Sequence, residues 1–345
     1  MKNHPACRRV EQWKIYDRIA GHGIYADVEK EFLPDARYDW TLLAEIELFR
    51  STISGYKRVL DIGCGTGHPS LHIARDVGSI IGIDKSERMI EIARNRLRRS
   101  GIDNIVFEVG DAVDLRFINE SFDAIILCGS LATLSDKKKS LQEIRRVLKK
   151  DGEVACVEAN WLYKSVHERY FEGEGSFVLI GTDSIRFRYV RRSVCPNKEV
   201  EYRCIVNPGS ALGKKLLSNP HFLKHKTLET EMGIEEVEPH CDEIEYDEQE
   251  SFDVETISNL FAENGFKDIV TVGYGVMYDL LDSAGLVDKM GSFMRKLSRA
   301  EATFSRFLDP LKTEMLFLTC KRDSTTTGRK VVKRKEQGLR RISRT

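Results

Sequence analysis

The chain has 345 residues, 41% of them apolar, with 54 basic side chains balanced by 54 acidic ones. That is enough apolar material for one large core or two small ones, and a zero net charge gives no overall field that would draw the whole chain to nucleic acid or an anionic surface. No apolar run reaches the ~18 residues that a membrane helix needs; eight cysteines, with no C-x-x-C pair and no secretory leader, predict reduced thiols in a soluble cytoplasmic protein.

In chain order, residues 1–57 read as helical and amphipathic. Trp13, Tyr16, Ile19 and Ala20 recur at helical spacing, and Leu42, Leu43, Ile46, Leu48 and Phe49 do so again. The first of these helices either covers a ligand or packs on a sheet. An inner strand follows at 59–62, a short apolar run stopped abruptly by glycines. Gly63, Gly65 and Gly67 remove the Cβ atoms that would hinder a sharp turn and let a ligand approach the backbone. Pro69 suits the first position of the next helix. A dinucleotide fingerprint would need a third glycine where His68 stands, which argues against an NAD oxidoreductase. What stands instead is D-x-G-x-G-x-G over 61–67. The Asp61 carboxylate would repel a pyrophosphate and suits a cationic ligand bearing an amino group, which points to S-adenosylmethionine.

Strand two is expected at 79–83 and strand three at 105–109. Between them Ser86 suits an N-cap, Met89, Ile90, Ile92, Ala93 and Leu97 supply an apolar face, and Gly101 ends the helix. Arg94, Arg96, Arg98 and Arg99 read as a solvated helix end. With these elements placed, the chain resembles the class I S-adenosylmethionine-dependent methyltransferases. The resemblance rests on three motifs: the glycine turn at 61–67, Asp84 closing strand two in IIGID, and Gly110-Asp111-Ala112 after strand three. It implies that Asp84 binds both ribose hydroxyls and that Asp111 and the Ala112 backbone contact the adenine. It further implies cofactor contacts at Tyr16, Asp61, Gly63, Cys64, Gly65, Gly67, Lys85, Met89, Gly110, Cys128 and Gly129. Tyr16 and Tyr25 would belong to an N-terminal lid of the kind found in small-molecule methyltransferases.

Strand four is expected at 122–127 and strand five at 153–157, joined by a helix carrying Leu141, Ile144, Val147 and Leu148. Active sites in doubly wound sheets lie beyond the carboxyl ends of the strands, so 128–131 should border both cofactor and acceptor. The Asn/Asp-Pro-Pro-Tyr/Phe motif that positions exocyclic or amide amines in some relatives is absent there. Methyl transfer is an in-line displacement at an activated carbon, and positioning supplies much of its catalysis; a base is needed only where the acceptor must lose a proton. Glu158, His68, Cys128 and Tyr163 are the candidates, with Ser130 and Asn160 beside them. Nothing near Cys128 in sequence lowers its pKa, so it reads as a small half-buried residue, and His68 reads most simply as the start of a helix.

Past strand five, 161–250 leaves the common core. Alternation over 185–190 and 199–206 around 195–198 predicts a hairpin, and with Trp161, Tyr163, His167, Tyr170 and Phe171 it is read as a lid over substrate. From 227 to 266 there is no Lys or Arg; His240 and Cys241 in that run have no second ligand pair, so the stretch reads as a solvated acidic face and no metal is expected. A last helix at 254–265 leads to strand six at 269–272 and, after a helical excursion over 277–308, strand seven at 315–320. The terminal 326–345 carries eight Lys or Arg and one Glu and reads as a disordered basic tail, solubilising or able to attract RNA.

The fold expected is α/β: a Rossmann-like, doubly wound, seven-stranded, mostly parallel sheet with an N-terminal helical lid and a lid inserted after strand five. Its parts are a cap at 1–57, a cofactor-binding core at 58–160, the lid at 161–250, the rest of the core with its helical insertion at 251–322, and the tail at 323–345. The function expected is methyl transfer from S-adenosylmethionine to a small-molecule acceptor. An RNA or protein methyltransferase using the tail and a catalytically silent binding protein are the alternatives.

Overall fold

The computed structural model describes residues 7–21, 40–160, 174–194, 197–274 and 315–323. Its central sheet is built from β2 (Arg58–Ile62), β3 (Ser79–Asp84), β4 (Ile105–Val109), β5 (Phe122–Cys128), β6 (Leu148–Ala159), β12 (Phe266–Tyr274) and β13 (Met315–Arg322). They are the seven strands expected, in the order β12-β13-β6-β5-β2-β3-β4, and β13 alone runs against its two neighbours. The inner strands are apolar on both sides, as a sheet covered by helices on each face requires. The strand order reverses between β2 and β5, and it is there, at the carboxyl ends, that a doubly wound sheet leaves a crevice.

One face is covered by α2 (Trp40–Ile53) and α4 (Glu87–Ser100). Phe49 of α2 meets Phe317 of β13 edge-on at 5.4 Å, so this half of the 1–57 segment packs on the sheet. The other face is covered by α5 (Lys137–Val147) and α9 (Val254–Glu263), which bury Leu141, Ile144, Ile257 and Phe261 against Leu127, Val154 and Leu318. After β2 the helix α3 (Ser70–Ile73) is a single turn, and Pro69 precedes it rather than opening it. Ser86 caps α4 by accepting from the Met89 N–H at 3.2 Å, and Gly101 ends it in the left-handed region at φ 68°.

The insertion after β6 is larger in structure than the single hairpin expected. It comprises β7 (Glu174–Ile180), β8 (Ser184–Val194), β9 (Asn197–Val206), α6 (Ala211–Leu217), α7 (Pro220–His225), β10 (Thr227–Thr230), α8 (Ile234–Val237) and β11 (Cys241–Glu250). With β1 (Cys7–Arg9) these strands form a second sheet in the order β1-β11-β9-β8-β7-β10, over a core that includes Phe177, Phe187, Phe222 and Ile244. The run read as a solvated acidic face therefore contains a strand. Asp247 is buried beside Arg203 and Gln12, and Glu245 binds Arg8 and Arg18. The basic partners come from distant segments, which is why an acidic stretch with no Lys or Arg of its own looked solvated. The Cys204 and Cys241 sulfurs are bonded across β9 and β11, with Cα atoms 6.1 Å apart. Strand pairing brings together residues that the sequence spacing keeps apart.

In the arginine cluster on α4, Arg94, Arg98 and Arg99 are exposed as expected, and Arg96 departs from the expectation. Arg96 is buried, and its Nη1 donates to the Thr66 hydroxyl at 2.6 Å and the Thr66 carbonyl at 3.2 Å. Arg94 Nε donates to the Phe107 carbonyl at 2.8 Å. The helix thus braces the glycine turn through the buried Arg96 and reaches the next strand through Arg94, whose side chain stays exposed. Tyr25, Trp161, Tyr163, His167, Tyr170, Phe171, the loop at 195–196, the excursion at 277–308 and the tail beyond 323 lie outside the described residues. Among the described residues no helix is long and apolar enough to cross a membrane.

Candidate functional site

A cavity of about 720 Å³ opens at the carboxyl ends of β2, β3, β4 and β5. Its floor is the glycine turn. Gly63 has φ +71°, a conformation that side chains disfavour, and the N–H groups of Gly63 and Cys64 both donate to the Ile83 carbonyl, at 2.8 and 3.0 Å. Gly65, at φ +51°, has open space where a Cβ would stand, and its N–H donates to Asp84 Oδ2 at 3.0 Å. Asp84 Oδ1 accepts from the Ser86 N–H at 2.9 Å. One carboxylate at the end of β3 therefore ties the turn to the start of α4. Burial raises its carboxyl above the ordinary range, opposed by these N–H donors.

Asp111 pairs with Lys85 Nζ at 2.9 Å, and the same ammonium lies 5.5 Å from the Trp13 ring centroid. Trp13 and Tyr16 belong to α1 (Gln12–Gly21), which packs on α4 and lines the cavity. Asp17 holds α1 there, its Oδ1 accepting from the Ser86 hydroxyl at 2.7 Å and the Arg88 N–H at 3.2 Å, at the positive end of α4. On the other side, the Gln12 side chain donates to Asp247 of β11. The helix bridges the two sheets, so Trp13 and Tyr16 face the crevice instead of packing on the central sheet. Arg9, Glu248 and Glu250 add charge from the second sheet, and Lys137 faces them from the start of α5.

The cavity gathers Tyr16, Gly63, Cys64, Gly65, Asp84, Lys85, Met89, Gly110, Asp111, Ala112, Cys128 and Gly129, together with His68. Asp61 and Gly67 are not in its lining. The Asp61 side chain is fully buried behind the turn; Oδ2 accepts from the Ser70 hydroxyl at 2.6 Å while Oδ1 has no hydrogen-bond partner. Burial pushes its carboxyl up to about 8, with Ser70 opposing. Gly67 instead stands against Leu71 and Phe107.

Glu158 also lies off the cavity. It is buried beneath the loop after β5, where its carboxylate accepts from the Ala132 N–H at 3.2 Å. Burial raises its carboxyl to about 7, and the backbone N–H groups of Ala132 and Leu131 oppose the rise. An unfolded chain releases this proton near the ordinary carboxylate value of ~4.3, so the folded state holds more proton between there and about 7, and stability falls as pH rises through that window. Glu158→Gln should remove this loss and gain about 1–3 kcal/mol on wild type between about pH 4 and pH 8. Urea unfolding at the two pH values checks this; a difference between the proteins that does not change with pH would refute it.

One residue of the site was missed. Glu45, on α2, is buried at 6% exposure, where its Oε1 meets His68 Nε2 at 2.7 Å and accepts from Cys128 Sγ at 2.9 Å. The Tyr274 hydroxyl donates to Oε2 at 3.1 Å. The signal was present: Glu45 stands four residues before Phe49, on the helix face that packs inward.

Residues 53–194 match a family model described as a methyltransferase domain. The chain is similar to an uncharacterized methyltransferase of Bacillus subtilis, YcgJ, at 39% identity over 101 residues, 29% of this chain and 40% of that protein. It is also similar to a demethylmenaquinone methyltransferase of Lactococcus lactis, at 37% over 127 residues, 35% of this chain and 50% of the relative. The chain thus spans half or less of the length of these curated relatives. Among solved structures it resembles an S-adenosylmethionine-dependent methyltransferase from Clostridium acetobutylicum, with a TM-score of 0.51 at 15% identity over 90% of this chain and 99% of the other. That likeness concerns the fold alone.

Proposed function

We propose, starting from a chain that belongs through residues 53–194 to the class I S-adenosylmethionine-dependent methyltransferases, that it transfers a methyl group from S-adenosylmethionine to a small-molecule acceptor. The observation that carries the reading is the meeting of three strand ends in one cavity: the turn at Gly63 and Gly65, Asp84, and Gly110 to Ala112. The residues present fit the cofactor. The open space over Gly65 lets a ligand lie against the backbone. Asp84 places a carboxylate at the cavity wall, held there by the Gly65 and Ser86 N–H groups, which favours a cation nearby.

In this reading Asp84 accepts from the ribose hydroxyls, while Asp111 and the Ala112 N–H border the adenine. Lys85, locked on Asp111, fixes that carboxylate and carries Trp13 with it. Met89 and Tyr16 close the adenosyl side, and Cys128 and Gly129 face the methionine end. The cofactor, when bound, supplies a methyl group on an already activated sulfonium. The protein's part is then to exclude water and align the acceptor. Residues 58–160 would hold the donor and 161–250 would cover the acceptor. Arg9, Lys137, Glu248 and Glu250 on the far wall favour an acceptor with polar or charged groups. The similarity to a demethylmenaquinone methyltransferase supports a small molecule as well.

Calorimetry with S-adenosylmethionine and S-adenosylhomocysteine should give one site per chain. Radiolabelled methyl should then reach at least one member of a panel of small quinols, phenols, thiols and amines. Absence of cofactor binding would sink the proposal. Loss of all turnover on deleting 326–345 would turn it towards a macromolecular acceptor.

A further inference from the structure

The Glu45 cluster sets three unlike donors against one another: a carboxylate oxygen, an imidazole nitrogen and a sulfur. They come from three separate elements, α2, the segment after the glycine turn and the end of β5. Glu45 Oε1, His68 Nε2 and Cys128 Sγ all lie within 4.8 Å of one another. We propose that these three atoms bind one zinc-class divalent cation in the cavity wall.

The chemistry of the set is the first argument. Mixed sulfur, nitrogen and oxygen donors suit a borderline-soft cation, and three protein ligands leave a fourth tetrahedral position. His68 and Cys128 line the cavity while Glu45 does not, which places the ion at the wall. Charge is the second. With Cys128 as thiolate, Glu45 as carboxylate and His68 neutral, a divalent cation makes a centre of zero net charge. Such a centre would not repel a sulfonium beside it. The third is the support behind the ligands. Ligating carboxylates are themselves hydrogen-bonded as a rule, and the Tyr274 hydroxyl holds the other oxygen of Glu45 at 3.1 Å.

Without the ion, protons occupy its place. The Cys128 thiol donates to Glu45 Oε1, and burial, then the Glu45 charge, raises that thiol well above its ordinary range. On binding, the thiol proton goes to solvent and the imidazole proton sits on Nδ1, freeing the Nε2 lone pair. The donor atoms, 2.7 and 2.9 Å apart, spread to accept bonds of about 2.0–2.3 Å. The consequence for the acceptor rests on the methyl-transfer reading: a hydroxyl or thiol at the open position would ionise near neutral pH, so that its proton is lost without a separate base. The acceptors favoured are then those with an ionisable O–H or S–H.

Cobalt(II) alone, titrated into the full chain, tests the site. One equivalent should bind with a thiolate-to-cobalt band in the near ultraviolet. Cys128→Ser should abolish the band, and Tyr274→Phe, which removes no ligand, should weaken the metal by about tenfold. No stoichiometric binding, a band that survives in Cys128→Ser, or an unchanged affinity in Tyr274→Phe would each overturn the inference. Should Cys128→Ser fail to fold, the Tyr274→Phe titration decides. S-adenosylhomocysteine calorimetry on chelator-treated wild type runs separately: failure there would sink the methyl-transfer reading and leave the cobalt result standing.

Discussion

Replacing Asp84 by alanine should weaken S-adenosylmethionine binding by about 2–3 kcal/mol, or roughly 30- to 150-fold, through loss of charge-assisted hydrogen bonds. The carboxylate has two duties that the geometry joins. It is placed to accept from the ribose, and it already accepts from the Gly65 N–H at 3.0 Å and the Ser86 N–H at 2.9 Å. Removing it frees the turn on which the donor rests, so the effect should exceed that of a single neutral hydrogen bond. Asp84→Asn retains one acceptor oxygen and should fall between wild type and Asp84→Ala. Calorimetric affinities of the three proteins decide the matter; an alanine variant within threefold of wild type would remove Asp84 from the site.

The central sheet was legible because each inner strand is a short apolar run ended by glycine or by an acid, and each helix carries its own periodic face. β5 and β6 need no knowledge of their neighbours to be recognised as strands. The second sheet is the opposite case. β11 reads CDEIEYDEQE, and its Asp247 is buried beside Arg203 of β9, which offsets its charge, and Gln12 of α1, whose side-chain amide donates to it. Long-range pairing of charge leaves no local pattern. The same reason hid β1, whose three residues form a strand by pairing with β11. Within the site, backbone-shaping residues such as Gly63 and Gly65 announce themselves through spacing. Glu45 acts through contacts with His68, Cys128 and Tyr274, residues up to 229 positions away, and sequence offered only an acid on an apolar helix face. Arg96 was misread likewise, since four arginines in six residues look solvated until the Thr66 carbonyl is found beneath one of them.

Two glycines of the turn should fail in different ways when given a methyl group. At Gly63 the new Cβ would stand 2.4 Å from Ser130 Cβ. Ser130 has little room to retreat, because its hydroxyl is bound to the Ile62 carbonyl at 2.6 Å and its side chain is buried. The left-handed backbone at φ +71° adds about 1–2 kcal/mol for any L side chain, and forced overpacking about 1–3 kcal/mol. Gly63→Ala should therefore lose about 2–5 kcal/mol of stability in urea unfolding. At Gly65 a Cβ meets nothing within 4 Å, so the stability cost is the backbone term alone, about 1–2 kcal/mol. That methyl would enter the cavity, where the proposed donor has to approach the chain closely. Gly65→Ala should accordingly remain folded and lose cofactor affinity, whereas Gly63→Ala should lose the fold that makes the cavity. Equal stability losses in the two variants would remove the Ser130 clash as the difference between them, and a Gly65→Ala protein that binds S-adenosylhomocysteine as wild type does would mean that the ligand does not lie against this turn.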